Sequence, residues 1–269
     1  ARLVVEGGVV LSGSIGISGA KNHALAAMCA ALLTDEDLIL ENVPDISDVE
    51  SLGALLVSLG AEVDRLPNGS LRLNCSRVNM FEAPTDLISE NRASFQVMGP
   101  LLGRHGYAAS APPGGDVIGQ RPIDVHLSGF EAMGAVFTRE GERYVTSAPQ
   151  GLRGARVFMD YPSVSGTQNV MMAATLARGH TTIVNAATEP EVQELANLLN
   201  GMGARISGIG SQMLEVEGVE AVHGGEDLAT LARQQGFGRA PDGFAVVDDQ
   251  HFATCPLYTS DAADDQPCV

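Results

Sequence analysis

Displacing the chain on itself by 143 residues lays AALLTDEDLILENVPDISDVESLGALLVSLGA (30–61) over AATLARGHTTIVNAATEPEVQELANLLNGMGA (173–204), with 10 identities in 32 gapless positions. A repeat of this kind constrains the fold more than any single motif, because each copy must bury its apolar face against the others. Leu52, Leu55, Leu56 and Leu59 in one copy, and Leu195, Leu198, Leu199 and Met202 in the other, follow the i, i+3, i+4, i+7 spacing of an amphipathic helix. Each run ends in Gly-Ala, with Gly60 and Gly203 placed to stop the helix in a left-handed conformation. A third copy lies between them. GFEAMGAVF (129–137) ends the same way, and its Gly134 falls 74 residues after Gly60 and 69 before Gly203. The unit is about 70 residues, present three times.

Within each unit the expected order is helix, strand, helix, strand, strand. In the first, a helix begins near Asn22 and buries Leu25, Met28, Cys29 and Leu32, LILEN (38–42) is a strand, and Ser47 or Asp48 caps the next helix. AEVDRLPNGSLRLN then forms a hairpin turning at Asn68-Gly69. Three such units close around a shared core of helices with sheets outside, an α/β fold.

The 269 residues hold 45% hydrophobic side chains, enough for a core of this size, and no apolar run of membrane-spanning length. Four scattered cysteines, Cys29, Cys75, Cys255 and Cys268, have neither metal-ligand nor disulfide-framework spacing. A net charge of −17 excludes a nucleic-acid backbone as partner and requires any anionic substrate to meet a local cationic site. No membrane partner and a cytoplasmic location are expected. Residues 226–269 carry eight acids and two arginines, and the closing LYTSDAADD matches the translation of a sequencing-library adapter. This stretch is expected to be either a disordered acidic tail or read-through, the latter from about Cys255.

Three places could carry chemistry. Lys21, the only lysine beside 15 arginines, stands with Asn22 after the turn-prone Ser18-Gly19-Ala20 at a helix start, where unpaired N–H groups and the helix dipole favour an anion. Its ammonium can follow a group that changes geometry better than a guanidinium fork can; the alternative is a solvated loop lysine. APPGGDVIGQRPIDVHL (111–127) interrupts the middle repeat, with Asp116 among glycines and Arg121, Asp124 and His126 in a stiffer segment. A carboxyl there could serve as a general acid on a lid, or the stretch could be an ordinary surface loop. Arg92 opens the first helix of the middle repeat as Lys21 does in the first, and Ser163, Ser165 and Thr167 stand at the same place in the third. Those hydroxyls suit either phosphate or plain helix capping. Equivalent polar starts would gather three anion-binding helix ends on one side.

ISGAKN (17–22), LENVPDISDVESLGALLVSLGAEV (40–63), RASFQVMGPLL (92–102), GGDVIGQRPIDVHLSGFEAMGA (114–135), SVSGTQNVMMAATLARG (163–179) and EPEVQELANLLNGMGARISGIG (189–210) resemble the bacterial UDP-N-acetylglucosamine 1-carboxyvinyltransferases. The resemblance implies an inside-out α/β barrel, the enolpyruvyl transferase fold. It divides the chain into first strands of another domain (1–16), a complete three-repeat domain (17–225) with a lid loop (111–122), and a non-family tail (226–269). It implies transfer of an enolpyruvyl group from phosphoenolpyruvate to the 3-hydroxyl of UDP-N-acetylglucosamine, with no cofactor and no metal. Lys21 and Asn22 would then bind both substrates, Arg92 and Arg121 would hold anionic groups, and Asp116 would be the proton donor. Arg121, Pro122, Ile123, Asp124, Val125 and His126 would line the uridine and diphosphate site, and Tyr161, Pro162, Ser163 and Val164 the diphosphate. Asp116 stands where most members carry cysteine, implying insensitivity to the epoxide fosfomycin, since a carboxylate is a poorer soft nucleophile than a thiolate. The chain departs from the family at Thr188, where arginine is common, and at Tyr161, where a lysine can face the diphosphate. With one wall of an interdomain cleft, it is expected to be inactive alone. The shikimate-pathway transferases share the fold, and a noncatalytic nucleotide-sugar-binding remnant is the further alternative.

Overall fold

A computed structural model describes residues 4, 7, 8, 13–90, 92–114, 122–230 and 244–247. The chain separates into two units. In the smaller, Ala1–Ile17 with Gln235–Val269, strand β1 (Gly13–Gly16) pairs antiparallel with a later strand, Phe244–Val247. The larger, Ser18–Gln234, holds the repeats.

The first repeat comprises α1 (Lys21–Ala30), a 3-10 turn (Ala31–Leu33), β2 (Asp37–Glu41), α2 (Ser47–Ser58), β3 (Glu62–Arg65) and β4 (Leu71–Asn74). The second has a short helix α3 (Thr85–Glu90), a 3-10 segment (Arg92–Val97) running into α4 (Met98–His105), then β5 (Tyr107–Ser110), α5 (Asp124–Ala132), β6 (Val136–Glu140) and β7 (Arg143–Ser147). The third has β8 (Arg156–Phe158), α6 (Val164–Thr175), β9 (His180–Val184), α7 (Pro190–Gly201), β10 (Arg205–Ser207) and β11 (Met213–Glu217). The 143-residue displacement holds at element resolution: β2 maps onto β9 and α2 onto α7 with identical first and last positions.

Sequence periodicity explains which helices are central. α1 and α6 are apolar or small nearly all round and are buried from His23 to Ala30 and from Gly166 to Thr175, as a helix enclosed on every side must be. α2 and α7 carry one leucine stripe each, bury Leu52, Leu55 and Leu56 or Leu195, Leu198 and Leu199, and form an outer helical layer. The strands alternate, β11 burying only Leu214 and Val216, so each sheet turns one face to the helices and one to water. Helices inside and sheets outside are the expected α/β architecture.

Gly60, Gly134 and Gly203 all have positive φ (104°, 90° and 103°), as the helix-stop reading requires. Gly69 (φ 86°) turns the β3–β4 hairpin, with the Leu66 N–H on the Ser70 carbonyl at 2.8 Å. Two details correct the sequence reading. Helix α2 starts at Ser47, but its capping position is Ile46, with no side-chain cap bond; the Ile46 carbonyl accepts from Val49 and Glu50. The other is Arg92, which opens a 3-10 segment and not an α-helix: α4 begins only at Met98, and the segment is preceded by α3, too short at six residues to show a period.

Each sheet also has a leading strand that periodicity did not reveal. β8 pairs parallel with β9, giving the order β10-β11-β9-β8. In the middle sheet, β5-β7-β6, a parallel bridge from Glu82 to Ala109 takes that place. In the first sheet it is filled from the far end of the unit: β12 (Gly225–Thr230) pairs parallel with β2, in the order β12-β2-β4-β3. The Glu36 carboxylate fastens this closure, accepting from the Gly224 N–H (3.0 Å) and meeting His223 Nδ1 (3.1 Å). Within 226–269, then, Glu226–Thr230 belongs to β12 and Phe244–Val247 forms β13; the rest, including Cys255 onward, lies outside the described residues.

Candidate functional site

The first turns of α1, α2 and α7 meet. Lys21 is the first residue of α1, preceded at the capping position by Ala20, which has no side-chain acceptor to offer. The Gly19 N–H is tied to the Asn42 carbonyl (2.9 Å), which sets the turn before the helix. Lys21 Nζ lies 3.8 Å from Asp48 Oδ1 in the first turn of α2, and Asn22 Nδ2 donates to Glu191 Oε1 (3.3 Å) in the first turn of α7. Asp48 and Glu191 are 143 apart, so two acids at one repeat position flank the same helix end. His23 behind them is buried, which pushes its pKa down to about 4 against an opposing contact with the Glu191 backbone.

Around the middle repeat, Arg92, Pro112, Pro113, Pro122, Ile123, Asp124, Leu127 and Tyr144 line a pocket of about 390 Å³. Arg92 Nη2 donates to the Pro122 carbonyl (3.3 Å). Tyr161 Oη, from the turn before α6, lies 3.3 Å from that carbonyl and 3.0 Å from Asp124 Oδ1. Partial burial, then the Asp124 contact, raises the Tyr161 pKa to about 12, so the phenol stays protonated. Tyr144 forms one wall, supported edge-on by Phe95 (6.2 Å) and stacked on Phe137. The lining is apolar with a cation and a carboxylate at its polar end, the make-up of a site that binds a flat body and fixes its orientation with few polar contacts.

Next to these sites lies a buried polar layer. Gln96 donates to Gln168, and Gln168 donates to the Glu191 carbonyl (3.1 Å). Asn169 Oδ1 accepts the Gly99 N–H (2.6 Å), while its amide reaches the Phe95 carbonyl (3.1 Å) and His126 Nδ1 (3.0 Å). His126 Nε2 meets Ser165 Oγ at 3.4 Å. Burial first, and the Arg92 charge second, hold the His126 pKa down at about 3, so the ring is neutral and accepts from Asn169. These bonds link the middle and third repeats through satisfied buried groups, which fix geometry because leaving any one unpaired is costly. Sequence reasoning passed over Gln96, Gln168 and Asn169; the signal was present as Thr-Gln-Asn (167–169) inside an otherwise apolar helix.

Of the residues singled out from sequence, Arg92, Pro122, Ile123 and Asp124 line one pocket, and Tyr161 is bonded to its rim. Val125 and His126 are 1% and 2% exposed, so their side chains pack below it. Ser163 caps α6, accepting from the Gly166 N–H (3.1 Å), and Val164 is the helix's first residue. Pro162 is exposed beside them. Thr167, considered as a phosphate donor, is fully buried, and its hydroxyl accepts the Ala187 N–H (3.0 Å). Lys21 and Asn22 line no part of the pocket; Lys21 pairs with Asp48 and Asn22 with Glu191. Asp116 and Arg121 lie outside the described residues. Among the described residues no cluster of His, Cys, Asp or Glu suits a metal ion, and no helix is long and apolar enough to cross a membrane.

The sequence profile of the family described as EPSP synthase (3-phosphoshikimate 1-carboxyvinyltransferase) matches residues 5–228. The chain is 48% identical over 84% of its length to the UDP-N-acetylglucosamine 1-carboxyvinyltransferase of Shewanella sp. (strain MR-7), and 47% identical over 83% to that of Gluconobacter oxydans, covering 54% and 53% of those proteins. Among solved structures, the enolpyruvyl transferase NikO from Streptomyces tendae has a similar fold (TM-score 0.67, 20% identity, 77% of this chain and 49% of that one). So has EPSP synthase from Acinetobacter baumannii (TM-score 0.62, 15% identity, 78% and 48%). Profile, relatives and architecture agree: the chain belongs to the EPSP synthase family of enolpyruvyl transferases and spans about half the length of the curated relatives it matches.

Proposed function

We propose that this chain carries the nucleotide-sugar side of an enzyme transferring the enolpyruvyl group of phosphoenolpyruvate to the 3-hydroxyl of UDP-N-acetylglucosamine, the first committed step of peptidoglycan synthesis. The reading rests on one observation above others: Pro122, Ile123 and Asp124, from the segment that resembles that transferase, line a pocket with Arg92 at the start of α5, beside the turn that leads into α6. A guanidinium and the first turn of α6 suit a diphosphate, and the apolar walls suit a base and ribose. Lys21, beside Asp48, would meet the carboxylate or phosphate of phosphoenolpyruvate. The hydroxyl oxygen bonds to C2 while Asp116 protonates C3; the resulting tetrahedral adduct then expels inorganic phosphate as the C–O bond to phosphorus's bridging oxygen breaks and C3 loses a proton. The base for the hydroxyl is expected outside this chain, so binding without turnover is the expected behaviour here.

The family profile's own description favours a second reading, a 3-phosphoshikimate transferase. Titration calorimetry separates them: the first predicts saturable binding of UDP-N-acetylglucosamine and none of 3-phosphoshikimate, and the reverse result would replace it. Absence of both would leave a noncatalytic remnant. A complete enzyme with Asp116 is expected to survive fosfomycin, and rapid stoichiometric labelling of Asp116 seen by mass spectrometry would refute that.

A further inference from the structure

Tyr161 was assigned above to the diphosphate, yet its hydroxyl is already engaged. It has one hydrogen and two acceptors in reach, Asp124 Oδ1 at 3.0 Å and the Pro122 carbonyl at 3.3 Å. The carboxylate is the stronger acceptor, and the carbonyl also receives Arg92 Nη2 at 3.3 Å. Residues 122–124 are thus held from two sides by different repeats, Arg92 from the start of the 92–97 segment and Tyr161 from the stem of α6. Just beyond, His126 and Leu127 N–H groups bond back to the Ile123 carbonyl (3.1 and 3.3 Å), so α5 begins at the held segment. Gly166 permits the close approach, since a Cβ there would lie 2.8 Å from Val125 Cγ2.

We propose that Tyr161 is a positioning residue, which holds Asp124 and Pro122 at the rim of the pocket instead of contacting the phosphates itself. A lysine at this place would supply a charge to the ligand; the tyrosine supplies a fixed carboxylate. The identity of the ligand rests on the nucleotide-sugar reading, whereas the clamp does not.

Two ligands and a double-mutant cycle test it on the full chain. Tyr161→Phe should weaken both UDP-N-acetylglucosamine and phosphate-free uridine about tenfold, the size of a lost hydrogen bond to a charged group. In an Asp124→Ala background the same substitution should add nothing. Loss confined to UDP-N-acetylglucosamine, or a full effect without Asp124, would overturn the proposal by placing Tyr161 on the phosphates. If the unsubstituted chain bound neither ligand, the nucleotide reading would fall, and hydrogen exchange would still decide the clamp. Tyr161→Phe should speed exchange at His126 and Leu127 about tenfold while leaving 170–175 unchanged, and unaltered exchange at those two amides would refute it.

Discussion

The first and third repeats are near copies, and the middle one is not. Between the former, Asn42 and Asn185 sit 143 apart and are the non-glycine residues with positive φ among those described (56° and 60°), Gly60 matches Gly203, and Asp48 matches Glu191. The middle repeat keeps the helix and strand order but places the proline- and glycine-rich 111–122 between β5 and α5, and its residues line the pocket. The lesson is that the repeated frame supplies converging helix starts, and one irregular repeat turns that convergence into a site.

Breaking the shared layer beneath both regions should have the largest effect. Asn169→Leu leaves the Gly99 N–H, the Phe95 carbonyl and the neutral His126 without their partner. At roughly 1–3 kcal/mol per orphaned buried group, a loss of about 4 kcal/mol is expected in urea denaturation, with the slope unchanged.

The helix-stop glycines sharpen the comparison next. A methyl at Gly60 would lie 2.7 Å from the Arg77 carbonyl, whereas at Gly203 the nearest atom is His223 Cδ2 at 3.8 Å and at Gly134 nothing lies within 4 Å. All three carry the backbone penalty of about 1–2 kcal/mol for an L-residue at positive φ. Gly60→Ala should therefore cost more than Gly203→Ala or Gly134→Ala, by about 1 kcal/mol, in thermal melts. Equal losses would mean the first repeat gives way as easily as the others.

Acid should act chiefly through the buried histidines. His23 and His126 have folded pKa values near 4 and 3, below the unfolded value of about 6.5. The unfolded chain binds more protons between those values, so stability is full above pH 6.5 and falls as pH drops toward 3. Between pH 6.5 and 5 each should cost about 1–2 kcal/mol. His126→Gln should flatten that slope, measured by denaturation at several pH values, and an unchanged slope would assign it elsewhere.

The smallest stability effect belongs to Lys21. Its pairing with Asp48 is long, at 3.8 Å, and Lys21 is half exposed; such pairs contribute about 0–1 kcal/mol. Lys21→Ala should leave the melting temperature within a degree or two. In a complete enzyme the same change should abolish most turnover, and Lys21→Arg should not restore it.

Much of the fold was legible because periodicity and glycine placement report local geometry. The leading strands were not, because β8 has three residues, the middle sheet needs only a bridge at Glu82, and β12 closes the first sheet from the far end of the unit. Such pairings have no local signature. The site divides in the same way. Lys21 and Arg92 stood out as cations at expected helix starts and Asp124 as an acid in a proline-stiffened segment, but Asn169 and Gln168 looked like interruptions of an apolar helix until their partners in the middle repeat were known. Tyr161 was visible as a departure from the family, yet its role depends on a bond to a residue 37 positions away.

Backbone amide exchange with and without UDP-N-acetylglucosamine tests the central claim most directly. The account predicts ligand-dependent protection concentrated in 92–97, 122–128 and 161–166, where the pocket and the start of α6 meet. Protection confined to the first turn of α1, or spread over the outer sheets, would contradict it.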